Sequence, residues 1–450
     1  MGLLNKNDID NNAMFSRLQG NIIKGHGRNF TANIFIRFNK NRVNTVKEWI
    51  AEFSEQKLTS CKKQLIENEN YKTNAIAGDV FYGFLLTSLG YKFLGKDISM
   101  FEETFQNGME KARDKLNDSY VKYWEEGFRK EIHAMILIGD DDQEKLGNAA
   151  RELIEVVKQF SSITTIEYGN AIRNSRGDGL EHFGYVDGVS QPLFFEDEIQ
   201  KYIADNGGKN KFDPSAEKEL VLVKDPLVDR DDAYGSYFVF RKLEQNVRRF
   251  KQDEEKLAIK LEFQDHERLG ASLVGRFEDG TPIEVSEDDG ITKSALFNNF
   301  NYDSNDNSKC PYHAHIRKTN PRTEAHKKHI MARRGIPYGH RNVPTSIEQD
   351  FLQMPGDGVG LLFMSFQASI ANQFEHIQHL ANQVDKENPN DLDPIIGQDG
   401  LKNKSTGEFP AVYGDPKSLT VGTFNSAVTL KGGEYFFAPS IPFLKTLKNK

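Results

Sequence analysis

Apolar and polar positions alternate in TANIFIRF (Thr31–Phe38), the spacing of a half-buried strand, and a helical stretch follows from Val43 to about Lys57. VFYGFLLTSLGYKFLG (Val80–Gly95) reads as a strand running into a short helix. HAMILIGDDD (His133–Asp142) reads as a strand that ends in an acidic turn, before a helix over Gln143–Phe160, and TTIEYGNAIR (Thr164–Arg173) adds a closing strand. The second half repeats this grammar. GSYFVFRKL (Gly235–Leu243) predicts a strand before a charged helix over Glu244–Lys260, and the stretch Gly358–Gln383 predicts a strand followed by an amphipathic helix.

The recurrence of strand and helix in one order predicts an internal duplication of an α+β unit with antiparallel sheets. At 450 residues the chain is long enough for two cores, and we divide it into residues 1–195 and 196–450. Two polar, turn-rich stretches, Asp197–Glu219 and Gly397–Ser418, read as surface excursions.

Composition narrows the function. With a net charge of −8 and basic residues interspersed among acidic ones, the chain lacks the basic face of a nucleic-acid binder. The two cysteines, Cys61 and Cys310, stand far apart in unlike contexts and signal neither a disulfide framework nor a zinc site. The first residues have no apolar secretory core, and no window has the length of a membrane span, so a cytoplasmic protein without membrane contact is expected. Phenylalanine is abundant, at 32 residues, which predicts aromatic-lined interior surfaces able to bury something large and flat.

Several segments could carry chemistry. In HFGYVDGVSQP (His182–Pro192), glycines bracket a lone carboxylate, Asp187, with no lysine or arginine within five residues. Such an aspartate either bonds its own turn or handles protons. His313 and His315, in KCPYHAHIRKTNPR, share a face if the chain is extended and diverge in a helix; apolar groups precede them and Arg317, Lys318 and Arg322 follow. A histidine so flanked suits a buried ligand with anionic edges, of which haem is one. ARRGIPYG (Ala332–Gly339) lets one arginine point inward while its neighbour stays in solvent, and in GLLFMSF Leu361 and Phe363 share one strand face. His376 and His379, three apart on a predicted helix, are the core of a rival reading as a non-haem metal hydrolase.

Taken together these segments resemble the dye-decolourising peroxidases, in particular their longer-chain subfamilies. The GxxDG turn is Gly184–Gly188; AHIRKTNPR looks like the axial-ligand segment, ARRGIPYG like the distal-arginine segment, and GLLFMSFQASIANQFEHIQ like the haem-pocket strand and helix. LVGRFEDGTP (Leu273–Pro282), LQGNIIKGHGR and LKGGEYFFAPSIPFL extend the likeness over almost the whole chain. The resemblance implies two ferredoxin-like α+β units with antiparallel sheets, one haem b per chain held mainly by the C-terminal unit, and reduction of hydrogen peroxide through a ferryl and porphyrin-radical intermediate that oxidises dyes, phenols or similar aromatic reductants one electron at a time. By that resemblance His315 is the axial iron ligand, Asp187 the distal acid/base and Arg333 the distal arginine. Arg317, Leu361 and Phe363 are expected around the cofactor, and Asp393 is the carboxylate facing the proximal imidazole. Tyr338 matches a position that carries a surface radical in some relatives, with Trp124 as the weaker alternative. Gly335 departs from the pattern, since many relatives carry Asn or Ser there. An oligomer is compatible with all of this, and a haem-storing, haem-sensing or iron-releasing protein on the same scaffold is the main alternative.

Overall fold

The computed structural model describes residues 2–263, 265–290, 297–341, 350–383, 392–398 and 404–449. Its framework is one antiparallel sheet whose main strands are β1 (Phe30–Phe38), β2 (Phe81–Leu86), β3 (Ala134–Asp140), β4 (Ser161–Asn170), β5 (Tyr234–Gln245), β6 (Ile336–Tyr338), β7 (Gly360–Gln367) and β8 (Val428–Ala438). Their spatial order is β6-β7-β5-β8-β2-β3-β1-β4. Within each half the second strand lies outside the third, then the first, then the fourth. The duplication expected from the hydrophobic pattern is therefore present as topology, in two ferredoxin-like units.

The units join at two places. β8 pairs with β2 through Phe437 and Leu86, and at the other ends β4 and β6 come together: a side chain at Gly169 would collide with Ile336. The sheet curls until its outer strands touch, which buries one face as a shared core. Phe35 of β1 meets Phe240 of β5 at 4.7 Å and Phe128 at 5.3 Å, edge to face. Most of the abundant phenylalanine goes into this kind of core packing; Phe183, Phe363 and Phe374 face the cavity described below.

Helices cross over between strands: α1 (Val43–Gln56) between β1 and β2, α2 (Gln143–Val157) between β3 and β4, and α3 (Val247–Lys260) and α4 (His266–Val274) between β5 and β6. The reason is legible in α2, where Leu146, Ala149, Ala150, Leu153 and Val157 are buried at helical spacing and Asp142 caps the first turn by accepting from Glu144 N at 2.8 Å. The short helix α5 (His315–Thr319) also precedes β6, and a π-helical turn over Ile370–Glu375 leads from β7 into α6 (His376–Asn382).

Three sequence expectations are corrected. The charged helix begins at Val247, not Glu244, because β5 runs on to Gln245 and Asn246 caps the helix by accepting from Arg249 N. Asp197–Glu219 is not wholly loop: Glu196–Asp205 is helical, with three acidic residues in its first turn where they favour the helix dipole. Within Gly397–Ser418, Lys404–Pro410 is a strand paired with Leu419–Asn425, and residues 399–403 lie outside the described part.

Candidate active site

A cavity of about 320 Å³ is lined by residues of α5 and α6, the Glu181–Gln191 stretch, β5, β7, Arg333 and the segment around Ile395. Its walls are mainly apolar, including Val189, Leu361, Phe363, Phe374 and Ile377. Strand alternation does the sorting in β7, where Leu361 and Phe363 face the cavity while Leu362 and Met364 enter the core.

His315 opens α5 and lines the cavity. Its Nδ1 lies 2.8 Å from Asp393 Oδ2, and the Asp393 side chain is fully buried. The other carboxylate oxygen accepts from Ile395 N at 2.7 Å and Ile396 N at 3.0 Å, so the carboxylate is fixed before it meets the imidazole. A carboxylate at Nδ1 holds the proton there and leaves the Nε2 lone pair free, the state a metal requires. Gly275 seats this helix: it has φ 100°, and a Cβ there would lie 3.1 Å from Ile316 Cβ, so the LVGR stretch approaches closely only because it has none.

His313 faces elsewhere. It is buried edge-on to Phe409 at 4.7 Å, with no hydrogen-bond partner for Nε2 among the described residues, and burial pushes its pKa down to about 3. The chain enters a helix at His315, and this sends the two imidazoles in different directions.

Asp187 sits in a turn closed by its own amide, which donates to Gly179 O at 2.9 Å, and by a bridge between Leu180 and Val186. Gly188, at φ 81°, has open space where a Cβ would go, so backbone conformation and not crowding calls for glycine. Asp187 Oδ1 accepts from Gly188 N at 2.6 Å and lies 4.0 Å from Arg333 Nη1. Arg333 is anchored by its amide, which donates to Gln191 Oε1 at 3.1 Å, and by Nη2, which donates to Val189 O. Adjacent Arg334 points away and donates to Asn21 O and Ile22 O. Gly335 lines the cavity; the atoms nearest a would-be Cβ are at 3.4 and 3.5 Å, so packing alone does not exclude a small side chain there.

Two expected positions lie elsewhere. Arg317 is absent from the cavity wall: α5 turns it away from the cavity into a buried site, where Nη1 donates to Asp306 O and Cys310 O and Nη2 to Asp303 O, with the guanidinium over Tyr302 and Tyr312. Its donors go to a loop and not to a cofactor carboxylate. Tyr338 is not at the surface; it is 7 % exposed on β6 under Lys242 Nζ, 4.9 Å from the ring centroid, and burial raises its pKa well above the usual phenol range. Trp124 is buried too. His376 stacks on His329 at 3.7 Å, while His379 is exposed, and among the described residues no three His, Cys, Asp or Glu groups are placed to hold a metal.

Three cavity residues escaped the sequence reading. Arg276, from the LVGRFEDGTP stretch, donates to Gly280 O and Phe297 O, and makes no ion pair among the described residues; burial, reinforced by Arg322 and Arg333, lowers its pKa to about 10. Arg241 is buried in a two-pronged pair with Asp118, at 2.8 and 2.5 Å. Glu181 is half-buried, and its pKa is pushed up to about 7 by desolvation. A glycine before Arg276 was the available signal for the first; the others needed the folded contacts.

Comparison with known proteins identifies the family. Residues 17–173 match the DyP dimeric alpha+beta barrel domain and residues 203–395 the C-terminal Dyp-type peroxidase domain. The chain is 39% identical to the multifunctional dye peroxidase DyP2 of Amycolatopsis sp. over 96% of both chains. It is 31% identical to peroxidase 2 of Mycetinis scorodonius, over 76% of this chain and 70% of that one. The solved DyP-type peroxidase of Anabaena sp. superposes with a TM-score of 0.91 at 40% identity, covering 99% of this chain and 97% of the other. With its fold, its cavity and these relatives taken together, the chain belongs to the DyP-type peroxidases, a haem-dependent enzyme family.

Proposed function

We propose that this enzyme binds one haem b per chain through His315 and reduces hydrogen peroxide with Asp187 as acid/base and Arg333 as its electrostatic partner, oxidising small aromatic or dye-like molecules. The observation that carries the reading is that a carboxylate-braced imidazole and an aspartate–arginine pair line one apolar cavity. The residues fit the cofactor: His315 keeps Nε2 free, Leu361, Phe363, Phe374 and Ile377 offer apolar surface to a flat ring, and Arg276 is a buried cation with no carboxylate partner among the described residues. Arg276 would meet one of its carboxylates, in place of Arg317. When bound, the haem supplies the redox chemistry, passing two electrons to peroxide and recovering them singly from the reductant.

The chain's own groups manage the proton. Asp187, as a carboxylate, takes it from one peroxide oxygen and returns it to the other, which leaves as water. Arg333 stabilises the negative charge that develops as the O–O bond breaks. The Asp393 carboxylate holds the Nδ1 proton of His315 and makes the imidazole a better electron donor. Gly335 contributes no side-chain donor beside these groups, so Arg333 carries this task without help from that position. The division at 195/196 and a cytoplasmic location belong to the same reading.

The test is steady-state turnover of the haem-loaded protein with hydrogen peroxide and an anthraquinone dye or a phenol. Turnover that saturates in both substrates supports the reading. Haem binding without turnover would favour storage or sensing on the same scaffold.

A further inference from the structure

Glu181 is a half-buried carboxylate in the cavity wall that forms no ion pair among the described residues, so the water it loses is replaced by hydrogen bonds alone. Its bonds all serve one loop. Glu181 N donates to Tyr185 O at 3.1 Å, and Gly184 N donates to Glu181 O at 3.1 Å. The side chain fills the middle of that loop: Oε2 accepts from Phe183 N at 2.9 Å and Oε1 from Tyr185 N at 3.0 Å. Gln245 Nε2 donates to Oε2 from β5, and the Gln245 backbone is itself bonded into the sheet through Val359 O at 2.9 Å. Asp187 closes the same loop two residues after Tyr185 through its bond to Gly179 O.

We propose that Glu181 is a positioning residue for the peroxide reaction: its carboxylate ties the 179–187 loop to β5 and so sets the direction from which Asp187 enters the cavity. The inference rests on Asp187 being the acid/base. Among the described residues, the charged groups around Glu181 do not offer it a bonded cation. Asp187 on its own loop is of like sign, Arg341 donates to the neighbouring His182 O, and Lys251 bonds Glu254 and Glu278 beyond Tyr185. Burial raises the carboxyl against its three N–H donors, as expected where geometry and not charge neutralisation keeps the group in place.

The experiment compares Glu181→Ala, Glu181→Gln, Asp187→Asn and the Glu181→Ala/Asp187→Asn double variant, each loaded with haem. Read out are the Soret band, the rate of its change on mixing with hydrogen peroxide, and the KM for the reductant. Glu181→Ala is expected to keep the Soret band and the reductant KM while reacting with peroxide about tenfold to a hundredfold more slowly, the scale of an ångström's misplacement of a reacting group. Glu181→Gln, with one acceptor oxygen for two amides, falls between Ala and wild type. In the Asp187→Asn background the alanine adds no further slowing, because the residue acts through Asp187. If Asp187→Asn is slow but Glu181→Ala reacts at the wild-type rate, or if the two effects multiply independently, the inference is overturned. If Asp187→Asn itself reacts normally, the acid/base reading falls first. Should the alanine variant not fold, Glu181→Gln decides: slower than wild type supports the inference and the wild-type rate refutes it.

Discussion

His315 meets a fully buried carboxylate at 2.8 Å, itself held by two amides, whereas Asp187 keeps more than a third of its side-chain surface open and approaches its nearest arginine only at 4.0 Å. One side of the cavity is braced and the other is loose. The difference follows from the work proposed for each: an axial ligand must hold one tautomer and one orientation, while an acid/base must gain and lose a proton and so cannot be locked into a tight ion pair. On the Asp187 side the order resides one layer back, in the backbone of the 179–187 loop.

The largest expected effect removes the braced side altogether. His315→Ala is expected to lose the Soret band on haemin titration; normal loading would move the ligand elsewhere. On the loose side, Arg333→Leu retains haem but reacts with peroxide about 10²- to 10³-fold more slowly, as for other preorganised charge stabilisers, and unchanged stopped-flow kinetics would remove its role. Asp393→Ala strips the brace while keeping the ligand, and a drop in haem affinity of about ten- to a hundredfold is expected. If it mattered no more than a surface aspartate, the contrast between the two sides would vanish.

The smallest effect is on stability against pH, measured by urea melts. His313 is held neutral in the folded chain, with a pKa near 3, while the unfolded chain binds a proton below about 6.5. Its contribution is present above that value and is lost as pH falls. Glu181 works in the opposite sense: the folded carboxyl keeps its proton up to about 7 and the unfolded one releases it near 4.5, so that its contribution is lost as pH rises through that window. His313→Gln should flatten the acid arm of the stability curve and Glu181→Gln the arm between about 4.5 and 7. Parallel shifts at every pH would contradict both assignments.

Much of the framework was legible in the chain because strand and helix periodicities are local, and the repeat of strand order survives in the topology. His315, Asp187 and Arg333 could be singled out from short segments and family resemblance. Arg317 could not be aimed correctly, since its direction depends on the phase of a five-residue helix and on the carbonyls of the 303–310 loop. Tyr338 is covered by Lys242 of another strand, a contact that its own segment does not reveal. Glu181 was invisible for a related reason: its partners are three N–H groups brought together only when the loop closes on β5. Periodicity reports which face a residue takes, and not what stands opposite it.

The most direct test of the account is rapid mixing of haem-loaded wild type and Asp187→Asn with one equivalent of hydrogen peroxide, following the Soret band. The account predicts equal haem content in both, a fast spectral change in wild type, and a change slowed about 10²- to 10⁴-fold in the variant, the range for a lost general acid/base. Equal rates in the two proteins would contradict it.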